Sequence, residues 1–338
     1  FRFQVCLGTA PEREEALKIL TQRDPVGCVV DVITLSIIRH IKAESAVAEI
    51  CGPVCTTQSV IDLLRFRVAE AEQWRGKEQG AIVWQDGELR LEKYNEEHWD
   101  RIIADRRIEL NWAQESLRVV PAMPSTDLSD DSRQVANLFK GYATDPAVAA
   151  QGSQYLLLSD DMGFRNWGAQ ALHVEASWTQ PVLMIARDRG LLSVADYSEA
   201  INTLALNKHV YVSLDAGSLF YQARKSDFQV TAELSRLLQA VGGPNADLLA
   251  NPNVLAKFID LCWADGTEPI KVLRIASEAF AALTDGRLQD QREIVGLIAS
   301  RLQQKQPVMA RHALEWLIGH SLGLPYFDEL VAERKGLH

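Results

Sequence analysis

Between residues 26 and about 225, short apolar runs rich in β-branched residues alternate with longer stretches of helical periodicity. "VGCVVD" (26–31) is followed by "VITLSIIRHI" (32–41). "PVCTT" (53–57) is followed by "QSVIDLLRFRVAEAEQW" (58–74), and "YLLL" (155–158) by a helical stretch from about 163. Parallel strands require crossovers of a dozen or more residues, usually helical, and that is the spacing present. The pattern predicts an α/β fold: a mainly parallel sheet covered by helices in a three-layer α/β/α arrangement. A last strand is expected over "HVYVSLD" (209–215). After residue 226 the alternation stops. Residues 228–240, 252–264, 268–284, 287–304 and 307–322 carry helical periodicity without a fixed repeat length, predicting an all-helical region. The expected organisation is a helical lead-in over 1–25, an α/β domain over 26–225 and a helical domain over 226–338. "GAIVWQDGELRLEKY" (80–94) alternates around Asp86-Gly87 and predicts a β-hairpin inserted in the α/β domain.

No apolar run approaches the roughly 20 residues of a membrane span. The 338-residue chain carries five cysteines, an odd number in mostly apolar surroundings, which points to a reducing, cytoplasmic setting. "CGPVC" (51–55) has no partner pair or nearby histidine and does not make a zinc site by its spacing. The formal charge of −10 argues against a broad basic surface for nucleic acid, though not against an acidic cleft neutralised by metal ions. The chain starts FRFQVCLG with no signal-peptide pattern, and reads as cut from a longer polypeptide.

Three expected strands end on acids: Asp31, the pair Asp160 and Asp161, and Asp215. In open parallel sheets, ligands bind at the carboxyl ends of the strands, near the point where strand order reverses. Asp62, one turn into the helix after "PVCTT", and Asp145, in "TDPAVAA", add two carboxylates. Gathered acids raise one another's pKa. The ordinary resolution is a hard cation, and an oxygen-only ligand set favours Mg²⁺ or Mn²⁺. Beside a phosphodiester, such an ion supports hydrolysis. Each acid also has a structural reading: Asp145 before Pro146 is an N-cap pattern, Asp160 or Asp161 can cap the following helix, and Asp62 can face solvent. Asp31, between "CVV" and "VITL", would be a buried acid needing a partner. Asp130 and Asp131 are the spare acids should Asp145 fail.

On these motifs, residues 26–222 resemble the PIN-domain family of metal-dependent ribonucleases. "VVDVITLSII" is similar to its first motif, "TTQSVIDLL" to the second, "TDPAVAAQ" to the third and "LLLSDDMGFR" to the last. The stretch "YLLLSDDMGFR…GLLS…Y" resembles a bacterial subclass found with tetratricopeptide repeats and a GreA/GreB C-terminal-like module, implying upstream domains of a longer protein. The resemblance implies Asp31, Asp62, Asp145 and Asp161 as acidic ligands, with Asp160 as a neighbouring candidate and Ser159 as a supporting polar group. It implies Mg²⁺ or Mn²⁺ as cofactor and RNA, single-stranded rather than duplex, as substrate. Two departures stand out: Asp62 occupies a position where the family usually has Glu, and the hairpin is a long insertion before the third motif.

A phosphate-binding rim would draw on Arg39, Arg65 and Arg165, and Trp167 could stack on a base or pack a helix on the sheet. Histidine chemistry has no H-E-x-x-H or H-x-E pattern to rest on. G-x-x-x-x-G-K-[ST], a strand-linked G-x-G-x-x-G and G-x-S-x-G are all missing from the sequence. An aspartyl phosphatase would need a second acid in "DVI". The alternative that stays open is a catalytically silent PIN-like scaffold serving as an interaction or regulatory module.

Overall fold

The computed structural model describes residues 3–22, 26–77, 79–85, 88–123, 130–207, 209–210, 212–242, 248, 250–303, 305–322 and 324–336. By spatial proximity the chain forms two compact units, one comprising residues 4–191 and the other residues 192–338 with 1–3.

The first unit is built on a five-stranded sheet. Its strands are β2 (Cys28–Val30), β3 (Val54–Thr56), β6 (Arg118–Val119), β7 (Leu156–Leu158) and β8 (Ala176–Ser177), in the order β6-β3-β2-β7-β8, and every pairing is parallel. β2 and β7 are buried at every position. This explains why they read as unbroken apolar runs rather than alternating ones. The chain enters through β1 (Phe3–Gln4) and α1 (Ala10–Gln22). The other helices of this unit are α2 (Val32–His40), α3 (Glu44–Cys51), α4 (Gln58–Trp74), α5 (Glu96–Ser116), α6 (Asp130–Leu138), α7 (Gly141–Ser153), α8 (Met162–Ala171) and α9 (Thr179–Asp188). Side chains of β2, β3 and β7 (Val29, Cys55, Leu157) share a core with Ala147 and Val148 of α7 and with Leu172 and Val174. Trp167 packs against this core and stacks on Phe164. The expected hairpin is present as β4 (Gln79–Gln85) and β5 (Glu88–Tyr94), antiparallel in the register Gln85↔Glu88. Its turn residues Asp86-Gly87 lie outside the described residues.

Three local expectations are corrected. α7 starts at Gly141, so Asp145 and Pro146 lie inside the helix and Asp145 is not its N-cap; Lys140 is. Among the described residues of 209–215 the strand is the two-residue β9 (His209–Val210), and Asp215 caps α11 (Ala216–Lys225) by accepting from Ser218 N at 2.7 Å. β8, two residues long, has no periodicity to announce it and was not expected from the sequence.

The second unit holds α10 (Val194–Leu206), α11, α12 (Ala232–Gly242), α13 (Asn251–Ala264), α14 (Pro269–Thr284), α15 (Gln291–Gln303), α16 (Pro307–His320) and α17 (Phe327–Gly336). No strand occurs among the described residues after Val210. α12 turns an apolar stripe of Leu234, Leu237, Leu238 and Val241 inward. α12 packs on α14 so closely that a Cβ at Gly242 would stand 2.2 Å from the Ala282 carbonyl oxygen. Backbone cannot retreat as a flexible side chain can. Gly242→Ala is therefore expected to destabilise the helical unit by about 2 kcal/mol, read as a lowered urea midpoint. An unchanged midpoint would mean that the two helices are not in this contact.

Candidate active site

The sheet order places the topological switch between β2 and β7. From β2 the chain goes on to β3 and β6 on one side, and later to β7 and β8 on the other. The register pairs Val30 with Leu158, so Asp31 and Ser159 leave the sheet side by side at its carboxyl edge.

Asp31 ends β2 and caps α2. Its Oδ1 accepts from Ile33 N at 2.7 Å and Thr34 N at 2.9 Å, and its Oδ2 from Thr34 Oγ1 at 2.9 Å. The Thr34 hydroxyl in turn accepts from Asp160 N at 2.7 Å, tying α2 to the end of β7. Asp160 is fully buried, accepting from Thr179 N at 3.0 Å and from the Thr179 hydroxyl at the head of α9. Asp161 caps α8 through Oδ1, which accepts from Phe164 N at 2.9 Å. Among the described residues its other oxygen takes no protein hydrogen bond. Ser159 lies between the acids: its hydroxyl accepts from Asp161 N at 3.2 Å and donates to Asp161 O at 3.4 Å, and it is close enough to the Asp31 carboxylate to favour its charged form.

Burial raises the Asp31 carboxyl above the ordinary range, opposed by the hydrogen bonds from Ser159, Thr34 and Ile33. Burial likewise lifts Asp160 to about 6, helped by repulsion from Asp31 and opposed by Thr179 and the positive charge of Arg165. Arg165 itself is buried. It donates to Ser159 O at 2.8 Å, lies 3.4 Å from Glu12 Oε1 and sits 4.7 Å above the Trp178 ring. A guanidinium so enclosed positions Ser159 and offsets Asp160, and it does not face an open rim.

The other expected residues lie elsewhere. Asp62 is exposed on α4, accepting from Gln58 at 2.9 Å and pairing with Arg65 at 2.9 Å. Asp145 is half-buried within α7. Arg39 pairs with Glu44 at 2.5 Å near the end of α2, about 12 Å along the helix axis from Asp31. Asp130 is fully exposed at the start of α6, 3.7 Å from Arg133, and Asp131 follows it in the same helix. Among the described residues, no three His, Cys, Asp or Glu side chains are arranged to hold a metal ion. Asp31 and Asp161, joined through Ser159, do fit the sparser pattern of Mg²⁺, which keeps its waters and takes one or two carboxylates plus substrate phosphate oxygens. The ion pair that holds Asp62 is exposed and worth well under about 1 kcal/mol, too little to fix that side chain away from a ligand.

Sequence reasoning missed Thr34, Thr179 and Glu12. Thr34 was legible in part, since an Asp N-cap accepts from the backbone N–H two or three residues on. Thr179 and Glu12 reach the site from distant segments and leave no local signal.

A parallel sheet with acids gathered at its switch point, under flanking helices, defines a PIN-like, nuclease-type fold. Residues 29–170 match the family described as the PIN domain associated with the TPR-GreAB-C-PIN system, and this match supports a PIN domain over that segment. No curated protein and no solved structure matches the chain.

Proposed function

We propose that the PIN domain is a metal-dependent endoribonuclease acting on single-stranded RNA, with Asp31 and Asp161 as the carboxylates that hold Mg²⁺ or Mn²⁺. The observation that carries this reading is the convergence of Asp31, Ser159, Asp160 and Asp161 at the switch point between β2 and β7. A divalent ion bound there supplies an activated water and stabilises the leaving oxygen. The chain's own residues do the rest. Asp31 is held rigid by its cap, Ser159 spaces the two acids, and Arg165 fixes Ser159 from behind. Asp62 is the reserve ligand, reached by opening its surface pair, and Arg65 beside it is the nearest candidate for a phosphate contact. Asp145, held inside α7, would enter only with a shift of that helix. Free, buried cysteines at all five positions support a reducing, cytoplasmic setting, and among the described residues no helix is long and apolar enough to cross a membrane. The family's association with TPR and GreAB-C modules supports their presence upstream in the same protein.

The scaffold reading keeps one specific observation in its favour, the dispersal of Asp62 and Asp145 away from Asp31. The two separate in one experiment. Purified chain is incubated with end-labelled single-stranded RNA in Mn²⁺, Mg²⁺ or excess chelator, and its melting is followed under the same conditions. Cleavage with either ion, lost with chelator, is the expected result. No cleavage and no metal-induced rise in melting temperature would make the domain a scaffold.

A further inference from the structure

The hairpin has no role in the site, yet it carries the most exposed apolar face of the α/β unit. Ile82, Trp84, Leu89 and Leu91 are 73%, 71%, 68% and 62% exposed. The register sets Ile82 opposite Leu91 and Trp84 opposite Leu89, so the four side chains form one contiguous patch on one face. On the other face Ala81 and Val83, opposite Glu92 and Arg90, are half-buried. An isolated two-stranded hairpin is marginal in water, and a Trp in open solvent does nothing to stabilise it.

The root of the hairpin, by contrast, is fixed. β4 follows α4 and β5 leads into α5, and these two helices pack along each other. Tyr94 at the end of β5 stacks on His98 at 4.3 Å and meets Trp99 edge-on at 6.1 Å. Trp99 is buried with Ala71 of α4 and Ile103 of α5. The patch thus stands at the tip of a braced helical pair.

We propose that this hairpin is a self-association arm, its Ile82–Trp84–Leu89–Leu91 face packing on the same face of a second copy of the chain. Area and charge decide the occupant. Four side chains this exposed offer on the order of 500 Å² of apolar surface per copy. A two-fold pairing would remove roughly 1,000 Å² in all, at the threshold of a biological interface and in the range of weak, reversible pairs. The charge on this face is Lys93, beyond Leu91 and opposite Gly80 at the root of the hairpin, so the four apolar side chains themselves meet their own copy with no charge among them, as an isologous interface allows. Nucleic acid is disfavoured, because the patch face offers phosphate a single base, Lys93, in a chain of net charge −10.

Sedimentation equilibrium of the purified chain across the micromolar range tests this. Wild type is expected to be a reversible dimer. Trp84→Glu, with unchanged circular dichroism and melting, is expected to self-associate at least ~30-fold more weakly, the scale of losing an interface anchor. Glu92→Ser on the opposite face is expected to behave as wild type. A monomeric wild type, a Trp84→Glu variant that still dimerises, or equal loss in both variants overturns the proposal. A monomer whose RNA affinity falls with Trp84→Glu would also overturn it and assign the face to nucleic acid.

Discussion

Asp31→Asn is expected to lower metal-dependent cleavage of single-stranded RNA on the order of 100-fold or more, with the fold intact. Changing a residue that merely supports a metal ligand typically costs 10–100-fold, so removing charge from a ligand should cost at least the upper end. The fold survives because Asn keeps an oxygen that can accept from Ile33 N and Thr34 N, the two bonds that cap α2. Asp161→Asn should produce a loss of similar size, since Phe164 N needs only one acceptor there. Both variants should also need higher Mn²⁺ for the same thermal stabilisation, a readout independent of turnover. Equal cleavage by wild type and both variants would mean that the activity comes from elsewhere. Asp62→Asn separates two forms of the site. A loss as large as that of Asp31→Asn would show that Asp62 leaves Arg65 to join the acids, and a small effect would leave Asp31 and Asp161 as the working pair.

How far the sequence disclosed this site depends on the range of each interaction. The β2 and β7 runs were legible because both faces of a central parallel strand are buried, and their closing acids stood out against apolar neighbours. Asp31 and Asp161 sit at caps, a pattern three or four residues long and therefore readable. Asp160 was ambiguous because its partner, the Thr179 hydroxyl and amide, arrives from a strand of two residues and the helix after it. Arg165 looked like a surface cation four residues after Asp161. Only the fold brings α1's Glu12 and the Trp178 ring around it. The misread strand at 209–215 has a related cause. Alternating apolar residues signal a half-buried extended segment, but they also describe a segment approaching a cap, and Asp215 serves as that cap. α10 and α11 accordingly group with the later helices, although the alternation placed them with the sheet.

In metal-free buffer, Asp160→Asn is expected to stabilise the protein at pH 8 by up to about 3 kcal/mol, with the gain vanishing towards pH 4. Burial holds the Asp160 carboxyl at about 6 in the folded chain against 3.8 in an unfolded one. A shift of about two units corresponds to roughly 3 kcal/mol. Its sign follows from proton counts. Between pH 4 and 6 the folded protein holds a proton on Asp160 that the unfolded chain has released, so this group's contribution to stability is complete below about pH 4. That contribution is lost as pH rises through 6, where the charged carboxylate must be buried beside Asp31. Asn stays neutral throughout and can still accept from Thr179 N, so it removes the pH dependence and keeps one of the bonds. Asp31, whose carboxyl is raised by the same burial, adds a slope of the same sign that the variant retains. Urea unfolding with chelator at several pH values between 4 and 8 gives the difference directly. Parallel curves for wild type and variant would mean that Asp160 is ionised at no cost, because solvent or a cation reaches it. Added Mn²⁺ should then shrink the gap at pH 8 if the ion lies close enough to offset the buried charge, which turns a stability measurement into a test of where the metal sits.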